Sequence, residues 1–300
     1  MPNPSSALTA ALPSLACPHC QGRLSAQASG PVRCAAGHTF DVARQGYLSL
    51  LTGAGTRGLH ADDAEMVAAR ERAQGAGVFA PVAAALTEAL RAAEPTPGAL
   101  VDLGGGTGYY AAACLDAPAS EATVGLGLDL SRYAARRAAR THPRLASVVA
   151  DAWGRLPLGN AVAGVVLCVF APRNPSEFAR VLAPGGVLAV VTPRPGHLAG
   201  LADEQGGLRV DPDKSDRLAQ QLAGWSIAST ATVEHPLTVT GDQAADLLLM
   251  GPAAWHVDRA ALRERLSAGP AISTTLAVDV TIAHLTARPT TARPTVGADA

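Results

Sequence analysis

Three hundred residues, 48% hydrophobic and 16% charged, supply enough apolar material for one large domain or two unequal ones and exclude a chain disordered throughout. A formal net charge of −1 excludes a uniformly basic surface, so a polyanion partner would have to be met by a local patch. Five cysteines, Cys17, Cys20, Cys34, Cys114 and Cys168, are an odd number at uneven spacing, which makes a poor disulfide framework and suits a reducing compartment.

Residues 1–14, rich in Ala, Ser and Pro, are expected to be disordered, and the lack of a basic leading segment argues against a signal peptide. No apolar run reaches membrane-spanning length, so a cytoplasmic location and no membrane partner are expected. Residues 15–51 hold a cysteine cluster and form a small module. Residues 52–63, with Gly53, Gly55 and Gly58, form a linker, and a main domain spans 64–286. The Pro, Thr and Ala-rich segment 287–300 is expected to be a disordered tail.

Within the main domain, helical spacing from Asp62 to about Leu90 is broken at Gly75 and Gly77. Strands then alternate with helices. Strands are predicted at 99–103, 123–128, 145–150, 162–170 and 187–192, and helices after the glycine turn to Leu115, over 132–140 behind Ser131 as N-cap, and over 177–182. Beyond residue 200 the pattern weakens. It suggests helices near 213–223, 242–250 and 258–267, and strands near 226–235 and 276–285. Apolar strands alternating with helices indicate an α/β fold with a buried, parallel sheet.

Asp102-Leu103-Gly104-Gly105-Gly106-Thr107-Gly108 is a glycine turn between a strand and a helix, which brings backbone close to a ligand at a helix N-terminus. Tyr109 stands where a dinucleotide fingerprint requires its third glycine, which disfavours a nicotinamide oxidoreductase. Asp102, ahead of the glycines, would repel a pyrophosphate and suits a ligand bearing an ammonium and a sulfonium. Asp129 ends the next strand, where a carboxylate can accept ribose hydroxyls, and Asp151 ends the third, where an adenine amino group could bind. One such carboxylate would read as an ordinary loop residue. Three in succession point to S-adenosylmethionine (SAM).

Cys17-Pro18-His19-Cys20 and Cys34-Ala35-Ala36-Gly37-His38 form two short chelating pairs, the arrangement that four-coordinate zinc requires. With Cys17, Cys20, Cys34 and His38 all bound, no coordination position stays open, so the zinc is structural. Cys114 and Cys168 read as core thiols.

Together these residues resemble the RlmA/TlrB family of 23S rRNA (guanine-N1)-methyltransferases, whose type II members confer resistance to macrolides such as tylosin and mycinamicin. The resemblance runs from Cys17 to about Leu201. It is carried by the cysteine cluster, Gly46-Tyr47-Leu48-Ser49-Leu50-Leu51, Asp62-Asp63-Ala64-Glu65-Met66 with Ala69-Arg70, the glycine turn through Tyr110, Phe170-Ala171-Pro172, and Thr192-Pro193-Arg194-Pro195-Gly196-His197-Leu198. It implies a Rossmann-like class I SAM methyltransferase with a mostly parallel seven-stranded sheet and a zinc module that recognises rRNA. It also implies a homodimer, and SAM contacts at Phe79, Tyr110, Ala111 and His197, beside Asp102, Gly104, Gly106 and Asp129. By composition alone Phe79 would be core, Tyr110 a helix face and His197 a loop residue. Gly105, where many relatives carry Cys, is expected to tolerate that change.

Two neighbouring guanines of one rRNA hairpin loop, 745 and 748, divide that family; the alanine- and arginine-rich composition favours the type II target, guanine 748, and with it macrolide resistance. A small-molecule methyltransferase is the alternative; a zinc module ahead of the fold speaks against it. Arg23, Arg33, Arg44 and Arg57, followed by Arg70 and Arg72, are the candidate RNA-binding arginines. Arg132, Arg136, Arg137 and Arg140 read as a solvated helix face. No residue stands out as the general base. The segment Ala171-Pro172-Arg173-Asn174-Pro175 lies where amino-methyltransferases hold the target base, with Arg173 or Asn174 as possible contacts.

Overall fold

The computed structural model describes residues 5–26, 31–52, 60–117, 124–202, 218 and 220–286. Three short strands, β1 (Leu24–Ala26), β2 (Val32–Cys34) and β3 (Thr39–Phe40), form an antiparallel sheet in the module. A fourth, β4 (Leu48–Ser49), leaves the module and joins the large sheet. The main domain contributes β5 (Ala99–Leu103), β6 (Gly125–Asp129), β7 (Leu145–Val149), β8 (Ala163–Val169), β9 (Leu182–Pro193), β10 (Trp225–Val239) and β11 (Ile272–Leu285). Their order in the sheet is β10-β11-β9-β8-β5-β6-β7-β4. The seven main-domain strands are thus extended to eight by β4, parallel to β7. β11 is antiparallel to both its neighbours, while β9, β8, β5, β6, β7 and β4 run parallel.

The chain passes from β5 to β6 and β7 on one side, then returns to β8 on the other. That reversal opens a crevice at the carboxyl ends of β5 and β8, the usual ligand position in open α/β sheets. β5, β7 and β8 are buried along their whole length, as strands covered on both faces must be. One face is covered by α2 (Ala64–Gly75), α3 (Ala80–Ala93) and α4 (Tyr109–Asp116), with α8 (Gly241–Leu249) and α9 (Arg259–Ser267) packed beyond them. α5 (Arg132–Ala138) and α6 (Pro175–Val181) follow β6 and β8, and α7 (Ala199–Ala202) is a single turn.

Disorder was the expectation for residues 1–14, and it fails for the described residues 5–14. Ser5 caps α1 (Ser6–Ala11) by accepting the Leu8 N–H at 3.1 Å, and a 3-10 turn follows over Leu12–Ser14. Leu8 and Ala11 are fully enclosed, and with Ala7, Leu12 and Leu15 they pack into the core formed by Leu126, Leu128, Ala146 and Val148. The reason lies in the β7–β8 connection. Residues 150–162 contain no helix, so β6 and β7 would be bare on that face without a segment from elsewhere. Each enclosed leucine contributes roughly 1.5–3 kcal/mol. The Leu15–Leu158 bridge and the Ala16 N–H to Pro157 carbonyl bond at 2.9 Å stitch the segment to that connection.

The gap expected between the helix at 177–182 and the strand at 187–192, which holds Pro184-Gly185-Gly186, is instead a bulge inside β9. Leu182 pairs with Ala163 and Val187 with Val165, so residues 183–186 loop out opposite a single glycine. Most of the helix predicted near 213–223, and the tail 287–300, lie outside the described residues. No single helix among the described residues is long and apolar enough to cross a membrane.

Candidate SAM cleft and zinc site

Asp102 sits on β5 one residue before the strand end and is almost wholly buried, at 1% exposure. The Ala111 N–H donates to its carboxylate, while Oδ2 is enclosed with no hydrogen-bond partner. Burial pushes its carboxyl up to about 7, and the nearby charge of Asp129 adds to the rise. An enclosed, unpaired carboxylate oxygen is costly unless a ligand satisfies it, which fits the ammonium of SAM.

Gly104, Gly106 and Gly108 all adopt left-handed backbone, with φ of 66°, 56° and 81°. A Cβ on Gly104 would stand 2.7 Å from the Ala171 Cβ, and one on Gly108 2.6 Å from Leu145 Cδ2. Both glycines are therefore required by the fold as well as by any ligand. A Cβ on Gly105 would lie 2.9 Å from Asp102 Oδ2, so a larger residue there presses on the carboxylate. The near atom is the end of the Asp102 side chain and Gly105 lacks positive φ, so a small residue here asks only for a shift of that carboxylate.

Asp129 closes the other side of the turn. Its Oδ2 accepts the Gly106 N–H at 2.9 Å and its Oδ1 accepts the Ser131 N–H at 2.8 Å. Each oxygen keeps a lone pair, and burial raises its carboxyl above the usual range. Asp151, two residues past β7, is half-buried and accepts the Trp153 N–H at 2.8 Å. Because β5, β6 and β7 are adjacent and parallel, Asp102, Asp129 and Asp151 stand along one sheet edge.

Phe79, at the N-cap of α3, and Tyr110 and Ala111, in the first turn of α4, are all buried beside this edge. Burial pushes the Tyr110 hydroxyl far up. His197 follows β9, with Nδ1 accepting the Ala277 N–H at 3.2 Å. Phe79, Tyr110 and His197 converge on one side chain that the sequence reading did not single out as a site residue. The Phe170 ring lies 6.3, 6.4 and 5.9 Å from their respective ring centres. Only its place in Phe170-Ala171-Pro172 marked it.

Arg70, expected from the sequence to be an RNA-binding arginine, lies at this turn instead. It reaches from α2 to within 3.3 Å of where a Gly106 Cβ would be, held by Asp62 at 2.6 Å and the Met250 carbonyl at 2.7 Å. Asp63 caps α2 and pairs with Arg259 at 2.7 Å, so Asp62-Asp63 clasp the linker's end to the main domain. The turn thus sets buried carboxylates beside a guanidinium, a pairing that complements a ligand carrying both an ammonium and a carboxylate.

Several expected RNA contacts are occupied within the fold. Arg70 is engaged as above, and Arg72 pairs with the buried Asp246 at 2.7 Å, which also binds Arg263. Asn174 caps α6 and donates to the Trp153 and Gly154 carbonyls, and Arg173 donates to Gln221. Arg23 and Arg44 are exposed, Arg33 is half-buried with its Nε enclosed, and Arg57 lies outside the described residues. Arg136 on α5 and Arg140 in the turn after it are exposed, Arg137 meets Glu71 at 3.3 Å, and Arg132 lies over the Tyr133 ring.

In the module, two tight turns present Cys17 with Cys20 and Cys34 with His38. The left-handed Gln21 and Gly37 shape them, and the Gln21 and Gly37 N–H groups donate back to the Cys17 and Cys34 carbonyls. The four ligand atoms lie within 4.8 Å of one another. The Cys17 Sγ–His38 Nδ1, Cys34 Sγ–His38 Nδ1 and Cys20 Sγ–Cys34 Sγ separations are 3.5, 3.3 and 3.6 Å. Tetrahedral zinc with bonds of about 2.3 Å to sulfur and 2.0–2.1 Å to nitrogen needs edges of roughly 3.4–3.8 Å. Burial pushes the Cys34 thiol up, but hydrogen bonds from His38 and from Cys20 outweigh it and leave the thiol near 6. His19 packs on the His38 and Phe40 rings instead of joining the cluster.

Sheet order, glycine turn and buried carboxylates, with the four-ligand cluster ahead of them, define a SAM-dependent class I methyltransferase carrying a structural zinc ribbon. The RlmA N-terminal zinc-ribbon family model matches residues 15–53. A Micromonospora griseorubida protein provisionally named 23S rRNA (guanine-N(1)-)-methyltransferase is 48% identical, covering 86% of this chain and 92% of its own. The 23S rRNA (guanine(748)-N(1))-methyltransferase of Streptomyces fradiae is 44% identical, covering 89% of this chain and 95% of its own. The chain belongs to this family of 23S rRNA (guanine-N1)-methyltransferases. Among solved structures, the geranyl diphosphate C-methyltransferase of Streptomyces coelicolor A3(2) overlaps 67% of this chain and 75% of its own, with a TM-score of 0.41 and 16% identity.

Proposed function

We propose that this protein transfers a methyl group from SAM to N1 of a guanine in a 23S rRNA hairpin loop. Guanine 748 is the target favoured over guanine 745, and resistance to tylosin- and mycinamicin-type macrolides is the outcome. The observation that carries the RNA reading is β4. It runs from the zinc module into the sheet beside β7, with Ser49 opposite Val149 at the strand's carboxyl end. The module's surface therefore adjoins the same edge as Asp102, Asp129 and Asp151. A small-molecule methyltransferase has no use for a second, arginine-bearing surface at that place. The name of the Streptomyces fradiae relative supports guanine 748.

In this reading Asp102 faces the ammonium of SAM, Asp129 the ribose and Asp151 the adenine, with Gly104, Gly106 and Ala111 supplying close backbone. Phe79, Tyr110 and His197 enclose the methyl-bearing end and keep water out. When bound, SAM supplies a sulfonium-activated methyl group. The protein's own contribution is to orient guanine N1 toward it while the N1 proton passes to a water molecule. Arg23 and Arg44 contact the hairpin phosphates, the target base is presented unpaired, and the enzyme works as a homodimer in the cytoplasm.

Primer extension on 23S rRNA from cells expressing the protein tests this directly, because an N1-methyl group blocks base pairing and stops reverse transcriptase. A stop at guanine 748 with a raised tylosin tolerance is the expected result. A stop at guanine 745 would reassign the target, and no stop would favour a small-molecule substrate.

A further inference from the structure

We infer that Phe170 is the platform on which the target guanine stacks; this rests on the RNA reading above and deepens it. Phe170 directly follows β8, and its N–H donates to the Val191 carbonyl at 3.1 Å. Its φ is 54°, in the left-handed region that a bulky side chain enters only under constraint, at a cost of about 1–3 kcal/mol. The next residue, Ala171, packs against Gly104, which places this corner against the glycine turn. The Cys168 thiol donates to the Ala171 and Pro172 carbonyls at 3.5 Å and holds the corner in shape.

The ring is also costly where it stands. It is 40% exposed, although the chain has only four phenylalanines and Phe79 and Phe178 are fully enclosed. Phe79, Tyr110 and His197 pack around it, and its position right after β8, with Ala171 against Gly104, sets it beside the crevice between β5 and β8. A glycine would remove both the strain and the exposed apolar surface. A fixed, half-open aromatic face beside the reaction end of the cleft is what an unpaired base needs for stacking. Such contacts are worth a 10- to 100-fold change, roughly, on loss of the ring. The neighbouring polar candidates leave the task to it, since Asn174 and Arg173 are occupied within the fold.

The test uses the full-length protein, SAM and a 23S rRNA hairpin, with Phe170→Leu, Phe170→Gly and Phe170→Tyr. Phe170→Leu and Phe170→Gly should each lose about 10- to 100-fold in kcat/KM for the hairpin, with SAM affinity within about twofold of wild type. Phe170→Gly should melt no lower than Phe170→Leu, because it relaxes the backbone. Phe170→Tyr, which keeps the ring, should retain activity. A hairpin carrying 2-aminopurine at the target position should be quenched on binding wild type and Phe170→Tyr, and stay bright with Phe170→Leu. Equal activity and equal quenching in wild type and Phe170→Leu would overturn the inference. So would a SAM affinity that falls in parallel with activity, which would place the ring on the cofactor. Absence of hairpin methylation by the wild-type enzyme would instead overturn the RNA reading itself.

Discussion

Replacing Asp102 by Asn tests the carboxylate on which the SAM assignment turns. In the ligand-free protein this carboxyl is pushed from its ordinary 3.8 to about 7, first by burial and then by Asp129. Its folded value lies above its unfolded one, so its contribution to stability is complete below pH 4 and is lost as pH rises through about 7. The interval is roughly three pH units, an upper bound of about 4 kcal/mol, and relaxation around the charge leaves about 1–3 kcal/mol. Asn keeps an acceptor for the Ala111 N–H and carries no charge. Denaturant unfolding of both proteins without SAM, from pH 5 to pH 8.5, should therefore show the variant gaining on wild type by about 1–3 kcal/mol. Asp129 titrates in both proteins, so the difference reports Asp102 together with its coupling to Asp129. SAM should then reverse the ranking at pH 8.5, protecting wild type while the variant loses about 10-fold or more in affinity. A stability difference that stays flat with pH, or a variant that binds SAM as tightly as wild type, would refute the reasoning.

Leu8→Ala should destabilise the protein by about 2–5 kcal/mol in the same unfolding assay, because Leu8 is fully enclosed against β6 and β7; an effect under about 0.5 kcal/mol would remove the N-terminal helix from the core. Purified protein should carry about one zinc ion per chain by metal analysis, and His38→Ala should release it with loss of rRNA binding but retention of SAM binding. Zinc retained at full stoichiometry in His38→Ala would exclude that ligand. Arg23→Ala combined with Arg44→Ala should weaken hairpin binding and reduce the slope of log affinity against log salt by about 1.5, with SAM affinity unchanged. An unchanged slope would move the RNA contact off the module.

The strand ends were legible in the sequence because buried parallel strands leave continuous apolar runs, and the first three runs here stop at or beside a carboxylate. Asp102, Asp129 and Asp151 could be placed on one edge from that rule alone. The zinc ligands were legible for a related reason: a knuckle fixes its two ligands through local turns, so spacing carries the geometry. What sequence concealed depends on distant partners. The segment 5–14 looked too small and too simple to order, yet it fills the face left open by the helix-free β7–β8 connection. Arg70 and Arg72 looked like free cations until Asp62 and Asp246 were brought to them across the fold.

The sequence by itself determined the α/β class, the row of strand-end carboxylates and the four-ligand cluster, since each rests on periodicity or spacing within a few residues. Only the tertiary structure decided that β4 docks the zinc ribbon beside that edge, that α1 belongs to the core, and that Phe170 stands strained and half-exposed among Phe79, Tyr110 and His197. Those three facts depend on contacts between residues tens of positions apart, and local pattern carries no record of which distant surface will be left uncovered.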